Sequence, residues 1–145
     1  LDIALAYEKS VFIETKHPVI SGNKVEELLV QKINERNIRE HVRVSILSFS
    51  WSAIEKIKRI DPTIHTTFLM NHNTLWPQVR FSSARAIAPG INEIRHRPEL
   101  VRKIRALGKE VTLWTVDEAS DIQLAISLGV DNLITNKPAH ARTFL

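Results

Sequence analysis

The chain has 145 residues, 43% hydrophobic and 25% charged, which is enough to bury one real core. No run approaches the roughly 18 apolar residues of a membrane-spanning helix, and the absence of cysteine excludes disulfide and thiolate chemistry. The net charge is +4 with six histidines uncounted. Much of it sits in "RHRPELVRKIRALGK" (Arg95 to Lys109), which has no interleaved aromatics and reads as a solvated helix face rather than a nucleic-acid surface.

The opening "LDIALAYEK" carries neither an initiating Met nor a signal-peptide pattern. It reads as the middle of something, so a segment upstream is expected. "SVFIETK" is the first strand-like run, from about Val11. "NKVEELLVQKINERN" then places Val25, Leu28, Leu29 and Ile33 at helical spacing, with Asn23 and Glu26 as a capping box. "VRVSILSF" from Val42 is the second strand. "SWSAIEKIKRIDP" is a helix capped by Ser50 and stopped before Pro62. "HTTFLM" from His65 is the third strand, and "NHNTLWPQVRFSS" (Asn71 to Ser83) is a long unpatterned loop. "ARAIAP", "VTLWTV" and "NLIT", from about Ala86, Val111 and Asn132, follow as strands. Between them, "RPELVRKIRALG" and "EASDIQLAISLG" are helices ending at Gly108 and Gly129.

The strand starts are 31, 23, 21, 25 and 21 residues apart, as βα units with short loops require. The runs are apolar on both faces, as helix-covered parallel strands are. Two architectures satisfy this pattern: an open doubly wound α/β sheet and a closed (β/α)8 barrel. A barrel takes about 250 residues, so six strands imply either an open sheet or a barrel lacking two units at its N-terminal side. The Leu1 start favours the second.

In both architectures ligands gather at the C-terminal ends of the strands. The residues placed there include Glu14, Lys16, His17, Ser48, Phe49, Asn71, His72, Trp114, Asp117, Thr135 and Asn136. The strand period puts Phe12, Glu14 and Lys16 on one face. Burying charge there requires a partner. Glu14 and Lys16 either form a structural ion pair, or Glu14 binds a cation while Lys16 holds an anion such as phosphate. One carboxylate is too few for a tight Mg²⁺ or Ca²⁺ site. Trp114 in "LWTV" is either core or the apolar wall of a pocket. His17, His72 and His96 have no His or carboxylate at ligand spacing and read as loop or surface residues. The sequence contains no Walker loop, GxGxxG or nucleophile elbow.

Three motifs in order carry a family signal. "VFIETKHP" resembles the Glu-x-Lys strand of glycerophosphodiester phosphodiesterases. "VSILSFSWSAIEKIKRIDPTI" is similar to the family's next unit, and "GKEVTLWTVDEASDIQLAISLGVDNLITNKPAHA" is similar to its closing pair.

The resemblance implies a (β/α)8 barrel truncated at its N-terminus, with residues 1–145 as one domain covering strands three to eight. It implies metal-dependent hydrolysis of small-molecule glycerophosphodiesters to glycerol 3-phosphate and an alcohol, using Mg²⁺ or Ca²⁺. Glu14 then matches a metal-binding carboxylate, Lys16 the phosphate-contacting lysine, Trp114 the pocket aromatic, and Phe49 the glycerol side. The family's His-Arg motif, acidic metal pair and second His are not in the chain. No catalytic residue is therefore assigned, and the chain alone is expected to be inactive. Asn136 stands where the family often has Asp. The alternatives are a related barrel phospholipase acting on lysophospholipid or sphingomyelin, and a non-catalytic binding domain. Unpaired strand edges invite homo-oligomerisation. Neither nucleic acid nor a membrane span is expected, and the cytoplasm is the default compartment.

Overall fold

The computed structural model describes residues 1–18 and 24–144. They fall into two compact units, Leu1–Phe68 with Phe81–Arg85, and Leu69–Arg80 with Ala86–Leu145.

The first unit opens with a short helix α1 (Asp2–Ala6), followed by strand β1 (Val11–Glu14), helix α2 (Lys24–Glu35), strand β2 (Val44–Ser48), helix α3 (Trp51–Ile60) and strand β3 (His65–Leu69). β1 pairs with β2 and β2 with β3, all parallel. Ile13 stands beside Ile46 and Glu14 beside Leu47. This register decides which residues share a face. Val11, Ile13, Val44 and Ile46 pack with Val30 and Ile33 of α2 and Ile57 of α3 in one apolar core. Each fully buried aliphatic side chain contributes about 1.5–3 kcal/mol relative to exposure. The opposite face carries a polar cluster: the Ser45 hydroxyl lies 2.8 Å from His65 Nδ1 and 3.2 Å from the Thr67 hydroxyl.

α3 starts as its sequence predicts, with the Ser50 hydroxyl accepting from the Ala53 N–H at 3.3 Å. α2 differs from expectation. Its buried residues are Glu26, Val30 and Ile33, and Leu28 is 57% exposed. The positions i, i+4 and i+7 from residue 26 define the core stripe, and Leu28 falls outside it. Asn23, the expected cap of this helix, lies outside the described residues.

In the second unit, helix α4 (Trp76–Phe81) leads to strand β4 (Ala86–Ala88), helices α5 (Ile91–His96) and α6 (Glu99–Arg105), strand β5 (Glu110–Leu113), helix α7 (Ala119–Ser127), strand β6 (Asn132–Leu133) and helix α8 (Pro138–Arg142). β4 pairs with β5 and β5 with β6, again parallel. Ile87, Ile94, Leu100, Ile104, Val111, Leu113 and Ile122 are buried in this unit. The two "LG" stops hold: Gly108 has φ +73° and Gly129 φ +64°, the left-handed conformation that closes helices.

One reading is corrected in this unit: residues 71–83 are not wholly a loop, because α4 lies within them. The helix expected over "RPELVRKIRALG" is α6, which begins after Pro98, while Arg95 and His96 at the front of the basic segment belong to α5. Proline disfavours helical backbone in the residue before it, and that residue here is Arg97.

Candidate functional site

The first-unit site is built on the C-terminal end of β1. The strand ends at Glu14, so Lys16 lies just beyond it rather than within it. Ile13 packs into the helix-covered core, so Glu14 projects from the other face of the strand. Phe12, Glu14 and Lys16 are all exposed. Among the described residues Glu14 and Lys16 form no ion pair with each other, and neither has another ion pair or side-chain hydrogen bond. The turn that carries them is nonetheless firmly tied. The Thr15 N–H donates to the Leu47 carbonyl at 2.9 Å, and the buried Ser48 hydroxyl donates to the Thr15 carbonyl at 2.8 Å. Phe49, 39% exposed, follows Ser48 at the end of β2.

His17 does not behave as a plain surface residue. Its Nε2 lies 2.6 Å from Glu26 Oε1, and the Glu26 side chain is fully buried. The two are nine positions apart, outside any local ligand spacing, so no motif announced the contact.

In the second unit, a cavity of about 630 Å³ is lined by residues including Met70, His72, Trp76, Trp114, Asp117 and Arg95. Trp114 lies past the end of β5 rather than inside it. Its indole N–H donates to the Ala88 carbonyl at 2.7 Å. A Cβ on Gly90 would sit 3.6 Å from the ring, in ordinary contact. Trp114 is therefore clamped by β4 while it lines the cavity.

The charged side chains around this cavity are matched. Arg95 Nε donates to the buried Asp121 at 2.7 Å, and this bond raises the arginine's affinity for its proton. Arg97 donates to Glu93 at 2.8 Å. Asp117 accepts from the Asn136 carboxamide at 2.8 Å, the Asn136 backbone N–H at 2.7 Å and the Thr135 hydroxyl at 2.9 Å. The Asn136 carboxamide and then its backbone N–H hold the Asp117 carboxyl below the usual carboxylate range. Asn136 thus has a definite structural role as a donor to Asp117.

Glu14 fits as one oxygen ligand for a hard cation. Among the described residues, however, no group of three His, Cys, Asp or Glu is placed to hold a metal ion. The described residues do not complete a metal site.

Comparison with known proteins gives the family and the fold. The model of the glycerophosphoryl diester phosphodiesterase family matches residues 2–140, and the chain belongs to that family. A probable glycerophosphodiester phosphodiesterase 1 of Mycobacterium tuberculosis is 31% identical over 146 residues, covering 93% of this chain and 52% of the relative. A glycerophosphodiester phosphodiesterase of Caldanaerobacter subterraneus is 31% identical over 130 residues, covering 88% and 52%.

Two solved structures share the fold. A glycerophosphodiester phosphodiesterase from Parabacteroides distasonis superposes with a TM-score of 0.79 at 21% identity, covering 92% of this chain and 56% of that one. An Oleispira antarctica phosphodiesterase, solved in complex with the product sn-glycerol-3-phosphate, gives 0.77 at 15% identity, covering 98% and 57%. The chain spans about half the length of these relatives.

Proposed function

We propose that the whole protein hydrolyses glycerophosphodiesters to glycerol 3-phosphate and an alcohol, and that residues 1–145 supply six of the eight βα units of its barrel as one domain. The observation that carries this reading is the pair Glu14 and Lys16. They are two exposed charges of opposite sign, Glu14 on the strand face turned away from the helix-covered core and Lys16 just past the strand end, and they do not satisfy each other. An unspent ammonium there suits a phosphoryl oxygen. An unspent carboxylate suits one position on Mg²⁺ or Ca²⁺, with the remaining ligands supplied from outside these residues. When bound, the cation would offset negative charge developing on the phosphoryl oxygens.

Lys16 binds and orients the phosphoryl group. Phe49 packs against the glycerol moiety, and Trp114, fixed by its bond to Ala88, forms an apolar wall of the cavity in the second unit. The proton donor and acceptor for attack and departure lie outside the 145 residues.

The test is release of glycerol 3-phosphate from glycerophosphocholine by the purified whole protein. Activity should need a divalent ion and vanish on chelation. Lys16→Ala should slow it about 100-fold, as loss of an electrostatic stabiliser does. Residues 1–145 alone should release none. Hydrolysis that ignores both chelation and Lys16→Ala would overturn the reading.

A further inference from the structure

We propose that His17 and Glu26 are positioning residues, whose part-buried hydrogen bond holds the turn that presents Lys16 to an anionic phosphoryl ligand. The ligand half of this statement rests on the reading of Lys16 given above. The holding of the turn stands on geometry alone.

Glu26 lies in the first turn of α2, on the same stripe as Val30 and Ile33, and is 0% exposed. A carboxylate is a poor core residue. Burial penalises it unless it is partnered, and an apolar residue of similar volume packs as well or better. Among the described residues its one partner is His17, at 2.6 Å, and its second oxygen, Oε2, has none. What Glu26 does that a leucine would not is take hold of an imidazole at the end of β1.

That imidazole belongs to the residue next to Lys16. On the other side of Lys16, Thr15 is tied through both its N–H, to Leu47, and its carbonyl, to Ser48. Lys16 therefore sits between two anchored neighbours. Its own side chain is exposed and engages none of the described residues. Anchoring the backbone on both sides while leaving the ammonium unengaged lowers the ordering that a ligand must impose on binding. It is the arrangement in which the binding group is fixed by a supporting shell.

The experiment uses the whole protein with His17→Leu, Glu26→Ala and Glu26→Gln. Two quantities are read for each: hydrogen exchange at the Thr15 amide, which donates to Leu47, and affinity for glycerol 3-phosphate by calorimetry. Glutamine keeps the volume of Glu26 and can still bond the imidazole, so it guards against a variant that merely fails to fold. His17→Leu and Glu26→Ala should speed local exchange and weaken glycerol 3-phosphate about tenfold, as loss of a supporting partner does. Glu26→Gln should recover most of both.

Unchanged exchange at Thr15 in His17→Leu would overturn the proposal. So would faster exchange with unchanged affinity, which would make the pair structural only. A wild-type protein that fails to bind glycerol 3-phosphate would instead sink the functional reading. The exchange data would then decide by themselves whether the pair holds the turn.

Discussion

Glu14 and Ile13 are adjacent in the chain and face opposite sides of β1. Ile13 stands beside Ile46 and packs against the α2–α3 core. Glu14 stands beside Leu47, reaches solvent, and its carboxylate supports no contact among the described residues. Glu14→Gln should therefore leave stability within about 0.5 kcal/mol of wild type, as surface changes do. The whole protein should meanwhile need far more divalent ion to work. Urea unfolding and a metal titration check the two halves. A variant that unfolds several kcal/mol more readily would mean that Glu14 is structural.

The face of α2 that meets the core can be read out by a matched pair of truncations. Ile33 is 0% exposed and Leu28 is 57% exposed. Ile33→Ala should cost about 2–5 kcal/mol, from lost transfer energy and the cavity left behind. Leu28→Ala should cost under about 0.5 kcal/mol. Denaturant midpoints at constant slope decide the comparison.

Backbone conformation separates two glycines. Gly129 has φ +64°, where a Cβ is strained, and Gly129→Ala should destabilise by about 1 kcal/mol or more. Gly90 has φ −69°, and an added methyl would meet Trp114 at ordinary contact distance. Gly90→Ala should stay within about 1 kcal/mol of wild type. Thermal melts of the two variants side by side give the answer.

Asp117 makes the stability of the second unit pH-dependent in a definite direction. Its folded carboxyl is held low, first by the Asn136 carboxamide. Between the folded and unfolded values, the unfolded chain binds the extra proton, so stability rises with pH there. The contribution is fully present above the ordinary Asp value of about 3.9 and disappears as pH falls through the folded one. Asn136→Ala should melt a few degrees below wild type at neutral pH, and the gap should narrow in acid. Melts from neutral pH downward test this, and a gap independent of pH would refute it.

Much of this was legible in the sequence because single residues enforce it. Ser50 caps α3, Gly108 and Gly129 close α6 and α7, and the β-branched runs at Val11, Val44 and Val111 lie in strands. The elements that escaped are those without period or signature. α4 spans six residues, too short for a periodic stripe. It is capped by the Gln78 side chain accepting from the Leu75 N–H at 2.8 Å, with no Ser, Thr, Asp or Asn at the cap position to flag it. The end of β1 was overrun at Lys16 because alternating character continues past the last ladder bond, whereas Trp114, one residue past β5, still bridges to Gly90. Among the site residues, the Glu-x-Lys face was visible from strand alternation. The His17–Glu26 contact was not, since it joins a turn to a helix. Its one signal was an acid on the apolar stripe, four residues before Val30.

The cluster of Ser45, His65 and Thr67 gives the two sides of this small sheet different tolerance to change. Val44 and Ile46 are held by volume alone, so a randomised library at those sites should return many aliphatic combinations. Ser45 is held by directional bonds, to His65 Nδ1 at 2.8 Å and to the Thr67 hydroxyl at 3.2 Å, so altering Ser45 loses both at once. Libraries at Ser45 should return few survivors.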